Sequence, residues 1–328
     1  MSNYLYHSPL GIINIHFAGQ CISSLQFVNQ ENSDLTDSME EKDLLFSKAV
    51  TSYLDAYFLG KRPDTVFDIC SSGSQFHQNI MNEIRKIPYG QTITYQSLAE
   101  KTNQIKAVRA VANTLKRNQV LLINPCHRII GKADLGGYLA GKWRKKFLLA
   151  LEGGKFSSLG LNSQDVHLNE NKPVWKELFE IEKEAILSIC PVNPNQIEHI
   201  GSTYIPDFIS KPIIDIMLGI DPKQEKEIMP KLLLLGWQYK ANFDPKEWHY
   251  LAKGTGDFIT HHLHVCHYNS KFYKQHIAFR DILIANPDIL NEYEKLKKGL
   301  KADYAKERKA YTNAKTDFVY SVLKKFGY

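Results

Sequence analysis

The sequence predicts an α/β protein of two globular units. Three observations lead there: a chain of 328 residues, β-branched runs alternating with helical periodicities in both halves, and a stretch near the middle without periodicity. Hydrophobic residues at 43% and charged residues at 23% provide material for real cores and exclude a disordered chain. The 41 Lys+Arg against 35 Asp+Glu leave +6, which suits an anionic partner without demanding one. The five cysteines, Cys21, Cys70, Cys126, Cys190 and Cys266, are scattered and lack a CxxC pair, so neither a disulfide framework nor a zinc ribbon is expected. A reducing cytoplasm fits that usage. No run approaches the roughly 18 apolar residues of a membrane span, and the N-terminus does not read as a signal peptide. A soluble, monomeric protein with no membrane partner is expected.

From Asn3 to Phe27 short β-branched runs punctuated by Gly11 and Gly19 predict two or three strands joined by tight turns. Leu44 to Leu59 carries apolar residues at helical spacing and stops at Gly60. These make a small α/β subdomain over residues 1–68. Residues 69–152 read as mainly helical. Ser74 caps a helix that ends before Pro88, Thr94 caps Tyr95–Lys101, and a further helix runs from about Ile105 to Lys116. In that last helix Val108, Val111, Ala112 and Leu115 share one face, while Lys106, Arg109, Asn113 and Lys116 share another. A helix–turn–helix is the economical reading. Residues 153–172 gather Gly, Ser and Asn as a linker does. Within 173–328, Trp175–Ile189 reads as an amphipathic helix, Trp248–Val265 as a hairpin turning at Gly254-Thr255-Gly256, and Lys271 onward as helices broken near Pro287.

The segment Asn124-Pro125-Cys126-His127-Arg128-Ile129-Ile130 carries the sharpest chemistry. A cysteine is nucleophilic as the thiolate, which needs a neighbouring base or positive charge, and His127 and Arg128 supply both types. A third group must orient the histidine, and Glu152 at a predicted helix end is the candidate, giving a Cys–His–Glu triad. A buried structural cysteine beside an exposed turn is the plainer alternative.

This motif, with Gly136-Gly137-Tyr138 and the close Leu149-Ala150-Leu151-Glu152-Gly153, resembles the O6-alkylguanine-DNA alkyltransferases over about residues 3–153. The resemblance implies a ribonuclease-H-like N-terminal subdomain and a winged helix–turn–helix domain. It implies direct, irreversible and stoichiometric transfer of an alkyl group from O6-alkylguanine in double-stranded DNA, with O4-alkylthymine a further substrate, after base flipping. Cys126 then resembles the alkyl acceptor, His127 the base acting through water, and Glu152 its partner. Asn118 resembles the residue bracing the active-site turn, and Tyr138 one that helps the purine leave. Arg109 resembles the family's intercalating finger and Tyr95 the tyrosine pressing on the phosphate. Lys106, Lys116, Arg117 and Arg128 are expected as further DNA contacts. No cofactor is implied for this half. A damage sensor that binds lesions without repairing them is the alternative, against which Cys126 speaks.

In the second half, Glu198-His199-Ile200-Gly201-Ser202-Thr203 followed by Lys211-Pro212-Ile213-Ile214-Asp215 places a Gly-Ser turn and a later carboxylate where a nucleotide phosphate and Mg²⁺ are held. With His262-Leu263-His264 and Ala278-Phe279-Arg280-Asp281, the run resembles the GrpB family of the nucleotidyltransferase-like superfamily over about residues 170–328. Gly201, Ser202, Lys211, Asp215, His262, His264 and Arg280 are the resulting nucleotide-site candidates, and Asp215 the candidate Mg²⁺ ligand. Active members of the superfamily carry a second carboxylate two residues on, where this chain has Met217, so Glu198 or the His262/His264 pair is the candidate replacement ligand. Lys297 and Lys315 join as phosphate-gripping candidates. A metal-dependent transferase and a binding module without catalysis both remain open, and this module carries the main activity if the first half is only a sensor.

Overall fold

The computed structural model describes residues 2–28, 38, 40, 43–70, 73–162, 164–240, 248–304 and 306–328. The chain divides into two compact units, Met1–Ser157 with Leu234–Gly236, and Ser158–Leu233 with Trp237–Tyr328. Each is mixed α/β, the class that the sequence predicts.

The first unit begins with β1 (Ser2–Ser8), β2 (Gly11–Ala18) and β3 (Cys21–Phe27), an antiparallel meander in that order. Alternation along β2 puts Ile13, Ile15 and Phe17 in the core, where α1 (Leu44–Phe58) also buries Val50, Leu54 and Tyr57, and Phe17 meets Phe46 of α1 edge-on. That period-of-two pattern is what a sheet covered on one face requires. Next come α2 (Gln75–Arg85), β4 (Ile93–Thr94), α3 (Tyr95–Lys101) and α4 (Val108–Leu115). Ser74 Oγ accepts from His77 N and Thr94 Oγ1 from Ser97 N, as the capping residues foretold. The α4 helix starts at Val108 rather than Ile105, because Asn103 turns into the left-handed region (φ 57°) and residues 104–107 form a further turn first. Val111 and Leu115 are buried, and Lys106, Arg109, Asn113 and Lys116 are exposed. Then β5 (Ile129–Ile130) pairs in parallel with β4, and α5 (Lys142–Glu152) closes the unit.

One expectation is corrected here. Cys21 and Cys70 form a disulfide, Cα–Cα 5.3 Å, leaving Cys126, Cys190 and Cys266 as buried free thiols. The bond is invisible in the spacing because its partners lie 49 residues apart and meet where Ile22 and Ile69 form a bridge alongside β3. It also removes the cysteine-based argument for a reducing compartment.

The second unit is built on a sheet ordered β11-β12-β13-β10-β8, with β6 against β13. In chain order its elements are β6 (Leu161–Asn162), β7 (Asn169–Glu170), α6 (Pro173–Ile189), β8 (Ile197–Ile200), β9 (Ile209–Ser210), β10 (Ile214–Ile220), α7 (Glu225–Leu234), β11 (Gln238–Tyr239), β12 (Trp248–Thr255) and β13 (Phe258–His267). Helices α8 (Lys271–Ala285), α9 (Pro287–Asp303), α10 (Arg308–Asn313) and α11 (Thr316–Lys325) follow. Within residues 153–172, read as a linker, β6 joins β13, β7 pairs with β9, and Leu159, Leu161 and Val166 are buried. Two-residue strands leave no periodicity to detect. The β12–β13 turn falls at Gly256-Asp257, at the end of the expected Gly254-Thr255-Gly256, and Gly254 lies within β12, so close to Phe258 O that a Cβ would sit 2.0 Å from it. No helix among the described residues is long and apolar enough to cross a membrane.

Candidate active site

The turn after α4 sets the geometry of the first site. Val120 and Leu121 are clamped to β3 by Leu25 N–H···O Gln119 and Leu121 N–H···O Leu25, and Leu122 adopts φ 68°. Asn118, fully buried, holds the turn from inside: its Nδ2 donates to Asn124 O (2.9 Å) and to Cys126 Sγ (3.1 Å), and its Oδ1 accepts from Val120 N (3.1 Å). Cys126, His127 and Arg128 form one 3₁₀ turn between this loop and β5.

From that turn the three side chains part. His127 Nε2 lies 2.8 Å from Glu152 Oε1 at the end of α5. Arg128 also turns inward: Nε and a terminal nitrogen donate to the two Glu152 oxygens at 2.9 Å each, and the other terminal nitrogen to Ile87 O at 2.6 Å. Tyr57 O–H donates to Glu152 Oε1 (2.7 Å) and Gly90 N–H to Oε2 (3.1 Å). Burial pushes the Glu152 carboxyl up, but His127 and Arg128 outweigh it and hold the group well below the usual carboxylate range. An ionised carboxylate only accepts, so the neutral histidine must carry its proton on Nε2. Burial, partly opposed by Glu152, lowers the His127 pKa and favours that neutral form. Nδ1 is thereby left with a lone pair, buried and without a partner among the described residues.

Burial pushes the Cys126 thiol up to about 11, against the opposing Asn118 hydrogen bond and Lys145 charge. Lys145 on α5 donates to Gly137 O (3.1 Å) and Ile129 O, and its own pKa is lowered to about 8 by burial. It therefore ties the Gly-rich loop to β5. Tyr138 approaches the His127 ring edge-on at 6.2 Å, with its hydroxyl buried and unpartnered among the described residues. The β4–β5 pair sets Tyr95 beside the same loop, its hydroxyl 3.5 Å from Gly137 O. Gly136 (φ 66°) has to lack a side chain, since a Cβ would lie 2.8 Å from the Tyr95 ring.

The structure thus gathers Cys126, His127, Glu152, Asn118 and Tyr138, with Tyr95 across the loop. Arg109 on α4, Lys106 in the turn before it, and Lys116 and Arg117 after it are exposed. Arg128 corrects the expectation of a DNA contact: at 8% exposure its charge is spent on Glu152. Sequence reasoning missed Tyr57 and Lys145. Tyr57 reads as one more apolar residue of α1, whereas a lysine flanked by Trp143, Phe147 and Leu148 on a helix was a legible anomaly.

In the second unit, the Gly201 turn (φ 71°) packs against Asp215, whose Oδ2 would lie 2.6 Å from a Cβ there. Asp215 Oδ1 accepts from His262 Nδ1 at 2.9 Å; burial raises this carboxyl, but His262, His264 and Lys211 hold it well below the ordinary range. The expected replacement ligands are engaged elsewhere. Glu198 pairs with Arg280 (2.8 Å), which also donates to His199 O and Asp281, so Arg280 is no free phosphate grip. His264 stacks on Trp248, ring centroids 5.4 Å apart. Among the described residues no group of three His, Cys, Asp or Glu is placed to hold a metal ion. The residues around Asp215 do not fit a Mg²⁺ site.

Fold and site together define an α/β chain with a buried Cys–His–Glu constellation in its first unit and a second α/β unit that follows in the sequence. Residues 75–154 match the family model described as 6-O-methylguanine DNA methyltransferase, DNA binding domain, and residues 165–325 the model described as GrpB protein. The chain is 34% identical over 151 residues to a methylated-DNA–protein-cysteine methyltransferase of Methanosarcina acetivorans, covering 45% of this chain and 96% of that protein. It is 37% identical over 172 residues to the glutamate-rich protein GrpB of Alkalihalophilus pseudofirmus, covering 50% and 98%. A crystal structure of Mycobacterium tuberculosis OGT in complex with DNA is 31% identical at a TM-score of 0.41, covering 46% of this chain and 91% of that one. The chain belongs to the methylated-DNA–protein-cysteine methyltransferase family through its first half and to the GrpB family through its second.

Proposed function

We propose that the first unit repairs DNA by moving the alkyl group of O6-alkylguanine, or of O4-alkylthymine, onto Cys126 in a single irreversible turnover. The observation that supports this reading is the unpartnered Nδ1 of His127, left with a lone pair by the Nε2–Glu152 hydrogen bond on the residue next to Cys126. The thiol proton passes to Nδ1 through a water, the thiolate attacks the alkyl carbon, the C–O6 bond breaks, and the purine leaves with its electron pair. The leaving base regains a proton from the site, with the Tyr138 hydroxyl placed to hydrogen-bond it. Net, one proton moves from sulfur to guanine and a thioether remains, so the balance calls for no metal or organic cofactor.

The alkyl carbon lies inside the duplex, so the nucleotide must flip out before attack. Exposed Arg109 on α4 is assigned to the gap and Tyr95 to the adjoining phosphate. Lys106, Lys116 and Arg117 are assigned to the backbone, a damage-reading rather than sequence-reading arrangement. We assign the chemistry to residues 69–152 with the sheet of 1–68 in support, and no part of it to 173–328. A cytoplasmic monomer is the working form. Intact-protein mass spectrometry after incubation with O6-methylguanine duplex tests the proposal. The wild type gains one methylene unit of mass and Cys126→Ala gains none; a wild type of unchanged mass refutes it.

A further inference from the structure

Five hydrogen bonds from described residues converge on the Glu152 carboxylate. Gly90, His127 and Arg128 supply four of them, and the fifth comes from Tyr57 on α1, 70 residues before His127. The Tyr57 hydroxyl donates to Glu152 Oε1 at 2.7 Å and lies 3.4 Å from His127 Nε2, so it meets both the carboxylate and the imidazole. The tyrosine proton and the Nε2 proton of the histidine therefore share one carboxylate oxygen. Tyr57 is fully buried, its ring edge-on to Phe58 and Tyr89 and stacked near Tyr53. A phenylalanine ring would fill that space equally well. The hydroxyl is the part that packing does not require, and burying one is unfavourable unless it is bonded.

Charge decides what that hydroxyl does. Burial, then Glu152, raise the Tyr57 pKa well above its usual value, so the group stays protonated and donates throughout the neutral range. A donor on the carboxylate spreads its negative charge and weakens its hold on a neighbouring imidazolium. The other charged and titratable groups facing His127 and Glu152 are Arg128 and Cys126 on the same turn, Lys145 on α5, Tyr53 on α1, Tyr89 beside Gly90, and Tyr138 in the Gly-rich loop. Arg128 and Lys145 disfavour an imidazolium, and Tyr57 acts in the same direction by occupying Oε1. A neutral His127 is the form whose Nδ1 lone pair can take a proton.

We propose that Tyr57 is a positioning residue for alkyl transfer: its hydroxyl fixes Glu152 Oε1 against His127 Nε2 and keeps His127 neutral in the resting protein, ready to take the thiol proton. The role rests on the transfer to Cys126 proposed above. Tyr57 keeps its own proton throughout, so the proton balance of that reaction is unchanged.

Tyr57→Phe tests the role, because it removes the hydroxyl and keeps the ring. In the free full-length protein with isotopically labelled histidine, NMR titration should place the His127 pKa higher in the variant by about half a unit to one unit, the worth of one hydrogen bond. Methyl transfer from O6-methylguanine duplex should slow about threefold to tenfold on the acid limb of its pH profile, and that limb should move up by the same amount. A merely structural tyrosine would lower the yield of folded protein and leave both midpoints in place. In the wild type, the His127 Nε2 proton should exchange slowly with solvent and show a through-space cross-peak to the Tyr57 hydroxyl proton, a readout that needs no variant to fold. An unchanged His127 pKa in the folded variant, or the absence of that cross-peak, overturns the proposal. If the wild type gains no methyl group, the transfer reading falls, and the titration alone decides whether Tyr57 sets the charge of His127.

Discussion

Replacing Arg128 by alanine separates a structural arginine from a DNA-contacting one. In the folded chain Arg128 gives two hydrogen bonds to Glu152 and one to Ile87 O, and both ion-pair partners are buried. Removing one member of such a pair leaves an uncompensated charge, and typically costs about 3–5 kcal/mol. Tyr57, His127 and Gly90 still donate to Glu152, so a loss near the lower end, about 3 kcal/mol, is expected. The pH dependence should change with it. The Glu152 pKa is depressed in the folded state, so its contribution is complete above the unfolded carboxylate range and is lost as pH falls. With Arg128 gone the depression shrinks, and the acid loss of stability becomes shallower. The assay is urea unfolding followed by hydrogen exchange on peptides from α2 and α5, which reports the first unit alone. DNA binding of the folded variant should keep the wild-type salt dependence, whereas Arg109→Ala should reduce it. A stability change under about 1 kcal/mol, with a salt slope reduced by about one, would place Arg128 on a phosphate and refute the assignment.

Two further expectations follow from the same geometry. Because burial pushes the Cys126 thiol up to about 11, its reaction with iodoacetamide in the free protein should rise about tenfold per pH unit between about pH 7 and 9, followed by peptide mapping; a plateau below pH 8 contradicts that environment. Gly201→Ala forces a side chain into φ 71° and against Asp215 Oδ2, and should destabilise the second unit by about 1–3 kcal/mol in thermal unfolding; an unchanged melting temperature argues against the packed turn.

What could be read along the chain was local. The caps at Ser74 and Thr94, the two faces of α4, and the adjacency of Cys126 and His127 need only neighbouring residues. Even Glu152, 25 residues from His127, was reachable because a helix end presents its last side chain in a restricted place. The direction taken by Arg128 was not reachable. Consecutive residues of a 3₁₀ turn point about a third of a circle apart, so His127 and Arg128 reach Glu152 from different sides while Cys126 faces Asn118. Arginine next to a reactive cysteine has the same composition whether its charge meets a phosphate or a buried carboxylate, and only the fold distinguishes them.

The same division holds elsewhere. Sequence alone determined the class and the two halves and singled out Cys126 and His127 as candidates, since each rests on periodicity or on residues side by side. Only the tertiary structure decided that Cys21 joins Cys70, that Tyr57 and Lys145 belong to the first site, and that Glu198 is taken by Arg280. It also set Lys211 and Lys315 against the same Tyr311 ring. Each of these depends on a contact between segments far apart in the chain. Such contacts are set by which faces pack together, and the local pattern of residues carries no record of that choice.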